Sequence, residues 1–152
     1  WREAVMRSLE ADPPAAVVLA TYAATVQQTP EALAEGLRAS IARLSRSVGV
    51  VAYVKDNPAP GFDVLECLSR EGGERCGFDA EPSRRARAWE RAALEGTGAV
   101  VVDTEDLVCP GARCPVEVGA AVLYRDANHL TSSFVVTLAP FFDAALAGAL
   151  RR

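Results

Sequence analysis

The strongest constraint on the fold is a set of short, uninterrupted apolar runs separated by segments of helical periodicity. Ala15 to Thr21, Val50 to Val54 and Ala99 to Val102 are each too short for a buried helix and carry almost no polar side chain. A strand covered on both faces, as in a parallel sheet, shows this continuous pattern rather than alternation. Between the first two runs lies a helix start, with Thr29 as N-cap, Pro30 at the first helical position and Glu31 in the first turn. Leu33, Leu37, Ile41, Leu44 and Val48 follow at the spacing of one helical face, and Gly49 closes the segment. Strand, helix, strand in that order predicts a parallel pair joined by a right-handed crossover.

The rest of the chain continues the pattern. Trp1 to Ala11 predicts a helix with Trp1, Val5, Met6 and Leu9 facing inward, ended by Asp12-Pro13-Pro14. Pro82 to Glu95 predicts a second, with Trp89 and Leu94 inside, the arginines outside, and Gly96 and Gly98 as stops. Gly119 to Leu123 is a fourth short strand. Thr131 to Leu150 is a closing helix whose inner face draws on Phe134, Leu138, Phe141, Phe142 and Leu146, with Pro140 as the site of a kink. The alternation argues for an α/β fold, a three-layer sandwich with a mainly parallel, flavodoxin-like sheet. With 152 residues, half of them hydrophobic and 24% charged, a single domain over residues 1–152 is expected. A net charge of −4 with no basic run argues against nucleic acid as a partner. No apolar run approaches the ~20 residues needed to span a bilayer, and no charged-then-apolar leader opens the chain.

Four cysteines fall into two close pairs. Cys67 and Cys76 flank a polar loop from Leu68 to Arg75, and Cys109 and Cys114 bracket Pro110 to Arg113. Disulfides Cys67–Cys76 and Cys109–Cys114 are expected, which would place the chain in an oxidising, extracytoplasmic compartment. A zinc site is the alternative, although neither spacing matches paired Cys-x-x-Cys knuckles.

The chemistry centres on Asp126-Ala127-Asn128-His129, which holds the only histidine. An Asp and a His three apart in a turn can fold back so that the carboxylate accepts a proton from one imidazole nitrogen, fixing the tautomer and stabilising the imidazolium. Histidine, with an ordinary pKa near ~6.5, is the best general base around neutrality. The competing reading is purely structural, with Asp126 or Asn128 capping the last helix. A metal-dependent site is disfavoured because one histidine is rarely enough; no cofactor is implied. Upstream, Lys55 to Gly61 leaves the end of an expected strand, where open α/β folds place ligands; it either borders the site or is a plain connection.

Asp126 to Thr131, followed by Phe134 and Leu138-Ala139-Pro140, resembles the last conserved block of the SGNH (GDSL-type) hydrolases. The likeness is greatest to the extracytoplasmic SGNH domain attached to bacterial membrane acyltransferases of the acyltransferase-three family. Asp63 to Leu68, Asp103-Thr104 ahead of Cys109, and Cys114-Pro115 leading into Val122 to Asp126 look like the same branch. The resemblance implies a Ser-His-Asp triad with His129 and Asp126 as base and acid. It also implies an acyl-ester or carbohydrate substrate, a membrane acyltransferase domain as partner, and tethering on the outer face of the membrane. The family's Gly-Asp-Ser nucleophile block has no counterpart here. Ser8, Ser40, Ser45, Ser47, Ser69 and Ser83 lie in expected helices or polar loops, and Ser132 and Ser133 are too close to His129. The serine is therefore expected on an upstream segment, the fold is expected to be incomplete at its N-terminus, and this chain alone is expected to be inactive. The family's oxyanion-hole Asn should follow the strand ending at Ala20, yet no Asn appears before Gln27; Thr21, Tyr22 or a backbone N–H is the candidate replacement. The alternative function is a non-catalytic carbohydrate-binding or interaction module that keeps the fold.

Overall fold

A computed structural model describes residues 1–22 and 28–151. The stretch after Tyr22 as far as Gln27, where the family's oxyanion Asn is expected, lies outside the described residues. In chain order the helices are α1 (Arg2–Ala11), α2 (Pro30–Leu44), α3 (Val64–Glu71), α4 (Gly73–Cys76), α5 (Glu81–Ala86), α6 (Ala88–Leu94), α7 (Glu105–Val108), α8 (Ser132–Thr137) and α9 (Ala139–Leu150). The strands are β1 (Ala16–Ala20), β2 (Val50–Val54), β3 (Phe78–Asp79), β4 (Val100–Val102), β5 (Arg113–Cys114), β6 (Glu117–Val118) and β7 (Ala121–Val122). They form two compact units, one of residues 1–55, 88–102 and 143–152, the other of residues 56–87 and 103–142.

The first unit is α/β with a parallel sheet, as the apolar runs require. β1, β2 and β4 lie in that order, with Ala16 opposite Val50 and Ala52 opposite Val100. Thr29 caps α2 by accepting from the Ala32 N–H, and Pro30 opens the helix where its missing N–H costs nothing. Ile41 and Leu44 of α2, Met6 of α1 and Trp89 of α6 pack on Val51 and Tyr53 of the central strand. Among the described strands of this sheet, only that one is covered on both faces. Val18 of β1 is 52% exposed, on the face opposite to Val17 and Leu19, which turn to the core. In α1 the inward face is narrower than expected: Met6 is buried, but Trp1 and Val5 are exposed. The Tyr53 hydroxyl donates to the fully buried Glu90 carboxylate (2.6 Å).

Two expected elements of the chain are interrupted. The helix predicted over Pro82 to Glu95 breaks at Arg87, which leaves helical geometry between α5 and α6. Its guanidinium is buried rather than outward, donating to the Asp56 carbonyl and to Glu105. The closing helix breaks at Leu138, so that Pro140 occupies the first turn of α9, where proline is tolerated, instead of kinking a helix interior.

The second unit has a core built around its disulfides. Cys67–Cys76 ties α3 to α4, and Cys109–Cys114 closes the loop into β5. Cys76, Cys109 and Cys114 are buried with Val64, Phe78, Val108, Val116, Leu123, Tyr124 and Phe134. The segment between Cys67 and Cys76, expected as a polar loop, is helical on both sides of Gly72, which turns the chain at φ +82°. Asp63 caps α3 through the Glu66 N–H. The run from Gly119 does not add a strand to the parallel sheet. It forms a small antiparallel hairpin, β6 with β7, with Gly119 at φ +60° in the turn. Two-residue strands of this kind carry too few apolar residues for periodicity to reveal their partner.

Candidate active site

The polypeptide reaches the Asp-x-x-His turn directly from β7. The Thr131 N–H donates to the Leu123 carbonyl and the Thr131 hydroxyl to the Val122 carbonyl, while Tyr124 and Leu130 form an antiparallel bridge around the turn. Residues 125–129 are thereby pinched into a tight loop. Thr131 also caps α8 by accepting from the Phe134 N–H, so neither Asp126 nor Asn128 is needed as the cap.

Inside that loop the Asp126 carboxylate turns toward the residues that follow it. One oxygen, Oδ1, accepts from the backbone N–H of Asn128 (3.0 Å) and of His129 (2.8 Å). The other, Oδ2, lies 2.8 Å from the His129 Nδ1. The two backbone N–H groups, with the imidazole in support, hold the Asp126 carboxyl well below the usual carboxylate range, so that it stays ionised at any working pH. An ionised Asp126 at Nδ1 makes that nitrogen the N–H donor, and the neutral ring then carries its basic lone pair on Nε2. The imidazole is 57% exposed, open to a reacting group approaching from solvent or from another segment.

Behind the turn stands the loop after β2. The Gly61 N–H donates to the Ala127 carbonyl (3.0 Å) and the Asn57 side-chain amide to the Asn128 carbonyl (3.3 Å). The Asn57 amide also reaches the buried Pro58 carbonyl, which accepts a second bond from the Tyr124 hydroxyl (2.8 Å). Burial pushes the Tyr124 phenol up, away from ionisation. Asn57 and Gly61 of this loop therefore lie against the Asp-x-x-His turn. The sequence carries no individual signal for Asn57 or Gly61 beyond a loop stiffened by Pro58 and Pro60 immediately after a strand.

A third layer of support is ionic. Glu105 accepts from Arg84 and Arg87, and Arg84 also donates to the Gly111 carbonyl inside the Cys109–Cys114 loop. Burial pushes the Glu105 carboxyl up, but the two guanidiniums outweigh it and the net shift is downward. Of the remaining sequence candidates, Thr21 and Tyr22 belong to the other unit. Thr21 is half-buried and lines a cavity of about 230 Å³ with Leu33, Gly36 and Trp89, and Tyr22 is exposed. No cluster of metal-binding side chains occurs among the described residues.

The family model of the SGNH domain fused to AT3 domains matches residues 1–144. The chain belongs to this SGNH family. In structure, the SGNH chain is similar to the periplasmic domain of a lipopolysaccharide acetyltransferase from Salmonella ser. Paratyphi A, with a TM-score of 0.72 at 13% sequence identity. The match covers 99% of this SGNH chain and 62% of that domain, so the chain spans less than two thirds of its structural neighbour. No curated protein sequence matches the chain. At this identity the likeness establishes the shared fold. The two disulfides fit an oxidising compartment. No helix among the described residues is long and apolar enough to cross a membrane.

Proposed function

We propose that this SGNH domain supplies the base and the acid of a serine-type acyl-transfer site acting on acyl esters of cell-envelope carbohydrate outside the cytoplasm. The observation that carries the reading is the His129 Nδ1 to Asp126 Oδ2 contact of 2.8 Å, made to a carboxylate already held by two backbone N–H groups. A carboxylate so fixed orients the ring and stabilises the imidazolium without moving during the reaction. The nucleophile in this reading is a serine on an upstream segment. His129 takes the serine proton at Nε2 as Oγ attacks the acyl carbonyl, then returns it to the departing alkoxide as the tetrahedral intermediate collapses to an acyl-enzyme. A sugar hydroxyl or water, deprotonated by the same nitrogen, completes transfer or hydrolysis. A membrane acyltransferase domain of the kind named in the family description is the natural source of the acyl group.

The test is a fluorophosphonate probe applied to the natural polypeptide, with the adduct mapped by mass spectrometry. An adduct on a serine that disappears in His129→Ala supports the reading. A folded protein with no adduct leaves the Asp126–His129 turn as a structural element and favours a binding or interaction module.

A further inference from the structure

The turn that joins Asp126 to His129 contains two peptide units that both matter to the carboxylate. One links Ala127 to Asn128, the other Asn128 to His129, and each sends its N–H to Asp126 Oδ1. A trans peptide is planar, with C=O and N–H antiparallel, so the orientation of one end dictates the other. The Ala127 and Asn128 carbonyls therefore point away from the carboxylate. Both are met there, by the Gly61 N–H at 3.0 Å and by the Asn57 Nδ2 at 3.3 Å. Each plane is thus pinned at both edges, one edge by the Asp126 carboxylate and the other by the loop after β2.

The two pins differ in origin. Gly61 contributes its backbone at φ +77°, a conformation any L side chain would strain. Asn57 contributes a side chain, and that side chain is itself anchored. Its second contact, the Pro58 carbonyl (3.1 Å), is shared with the buried Tyr124 hydroxyl, and its backbone N–H donates to Asp56 Oδ1 (3.0 Å). The amide is therefore held within its own loop as well as against the turn.

We propose that Asn57 is a positioning residue for the Asp126–His129 pair, holding the Asn128–His129 peptide plane so that its N–H fixes the carboxylate against Nδ1. This rests on the acyl-transfer reading of that pair. Asn57 touches neither substrate nor the reacting atoms; it acts through the Asn128 carbonyl. A donor is required at this position, since a carboxylate of the same shape would face that carbonyl with repulsion.

The experiment compares wild type, Asn57→Ala and Asn57→Asp in the natural polypeptide, with p-nitrophenyl acetate as the substrate and a thermal melt as the fold control. Alongside, NMR follows the His129 Nδ1 proton, assigned by its loss in His129→Ala. In both variants kcat is expected to fall by about 10- to 100-fold, the scale of a small misplacement of a catalytic group, with KM within about twofold. The Nδ1 proton signal is expected to weaken or move upfield in both. Wild-type kcat in either folded variant, or an unchanged Nδ1 signal, overturns the proposal. If the wild-type protein hydrolyses no ester, the acyl-transfer reading fails by itself. The NMR arm still decides the positioning role, an altered signal upholding it and an unaltered one overturning it.

Discussion

Replacing Glu105 by Gln removes one negative charge and little volume from the ionic support of the second unit. Glu105 is largely buried, its side chain 16% exposed, and it bonds Arg84 through Oε1 and Arg87 through Oε2. Hydrogen bonds involving charged groups are worth about 1.5–3 kcal/mol each. The Arg87 bond counts at full weight because that side chain is only 6% exposed. The Arg84 bond is discounted for solvent screening at 33% exposure. Together they give an expected loss of about 3 kcal/mol at pH 7, or about 6–12 °C in melting temperature for a chain of this size. The pH dependence has a definite sign. The folded carboxyl is held below its ordinary value near ~4.3, so the stabilisation is complete above that pH and is lost as pH falls below it. Urea unfolding of the wild type and Glu105→Gln, followed by circular dichroism at pH 7 and at about pH 3.5, measures both quantities. A loss under about 1 kcal/mol at pH 7, or one equally large at the lower pH, would refute the reasoning.

On the acyl-transfer reading, Asp126→Asn in the natural polypeptide should lower the rate of ester hydrolysis by about 10³- to 10⁴-fold, because the ring loses the anion that sets its tautomer. The same variant should melt below wild type at pH 7. Since the folded Asp126 carboxyl is depressed, that gap should close as pH falls below the ordinary aspartate value near ~3.9, which a pH series of thermal melts would show. Replacing Cys67 and Cys76 together by alanine opens a loop of sequence separation 9, and replacing Cys109 and Cys114 opens one of 5. Loop-closure entropy predicts a loss of about 2–3 kcal/mol for either pair, measured by denaturant unfolding. Tyr124→Phe should cost only about 1 kcal/mol, because the Pro58 carbonyl that loses the hydroxyl keeps the Asn57 amide; a loss above about 3 kcal/mol would show that the two donors do not act independently.

What was legible from residues alone was whatever depends on neighbours within a few positions. The Thr29 cap, the Pro30 start and the face from Leu33 to Leu44 are local signals, and α2 appears where they place it. Val50 to Val54 is a strand over those same residues. Cysteines 5 and 9 apart close on each other because the intervening chain is too short to do much else. The Asp126–His129 contact belongs to this class as well, since a turn of four residues suffices to make it.

Other features needed the folded chain. Arg87 lies on a segment whose pattern places arginines outside, and the arrival of Glu105 and of the Asp56 carbonyl from elsewhere in the sequence helps make its burial tolerable. β1 has the composition of a doubly covered strand, yet Val18 is exposed, because coverage depends on what packs over a strand's faces and not on its own residues. Asn57 and Gly61 meet the turn across about seventy positions of chain. The sequence by itself determined that this is an α/β chain with a parallel strand-helix-strand unit, two short disulfide loops and an aspartate able to hold a histidine. Tertiary structure alone decided how the outer edge of that aspartate's turn is held, because a hydrogen bond between distant segments leaves no periodicity or spacing in either of them.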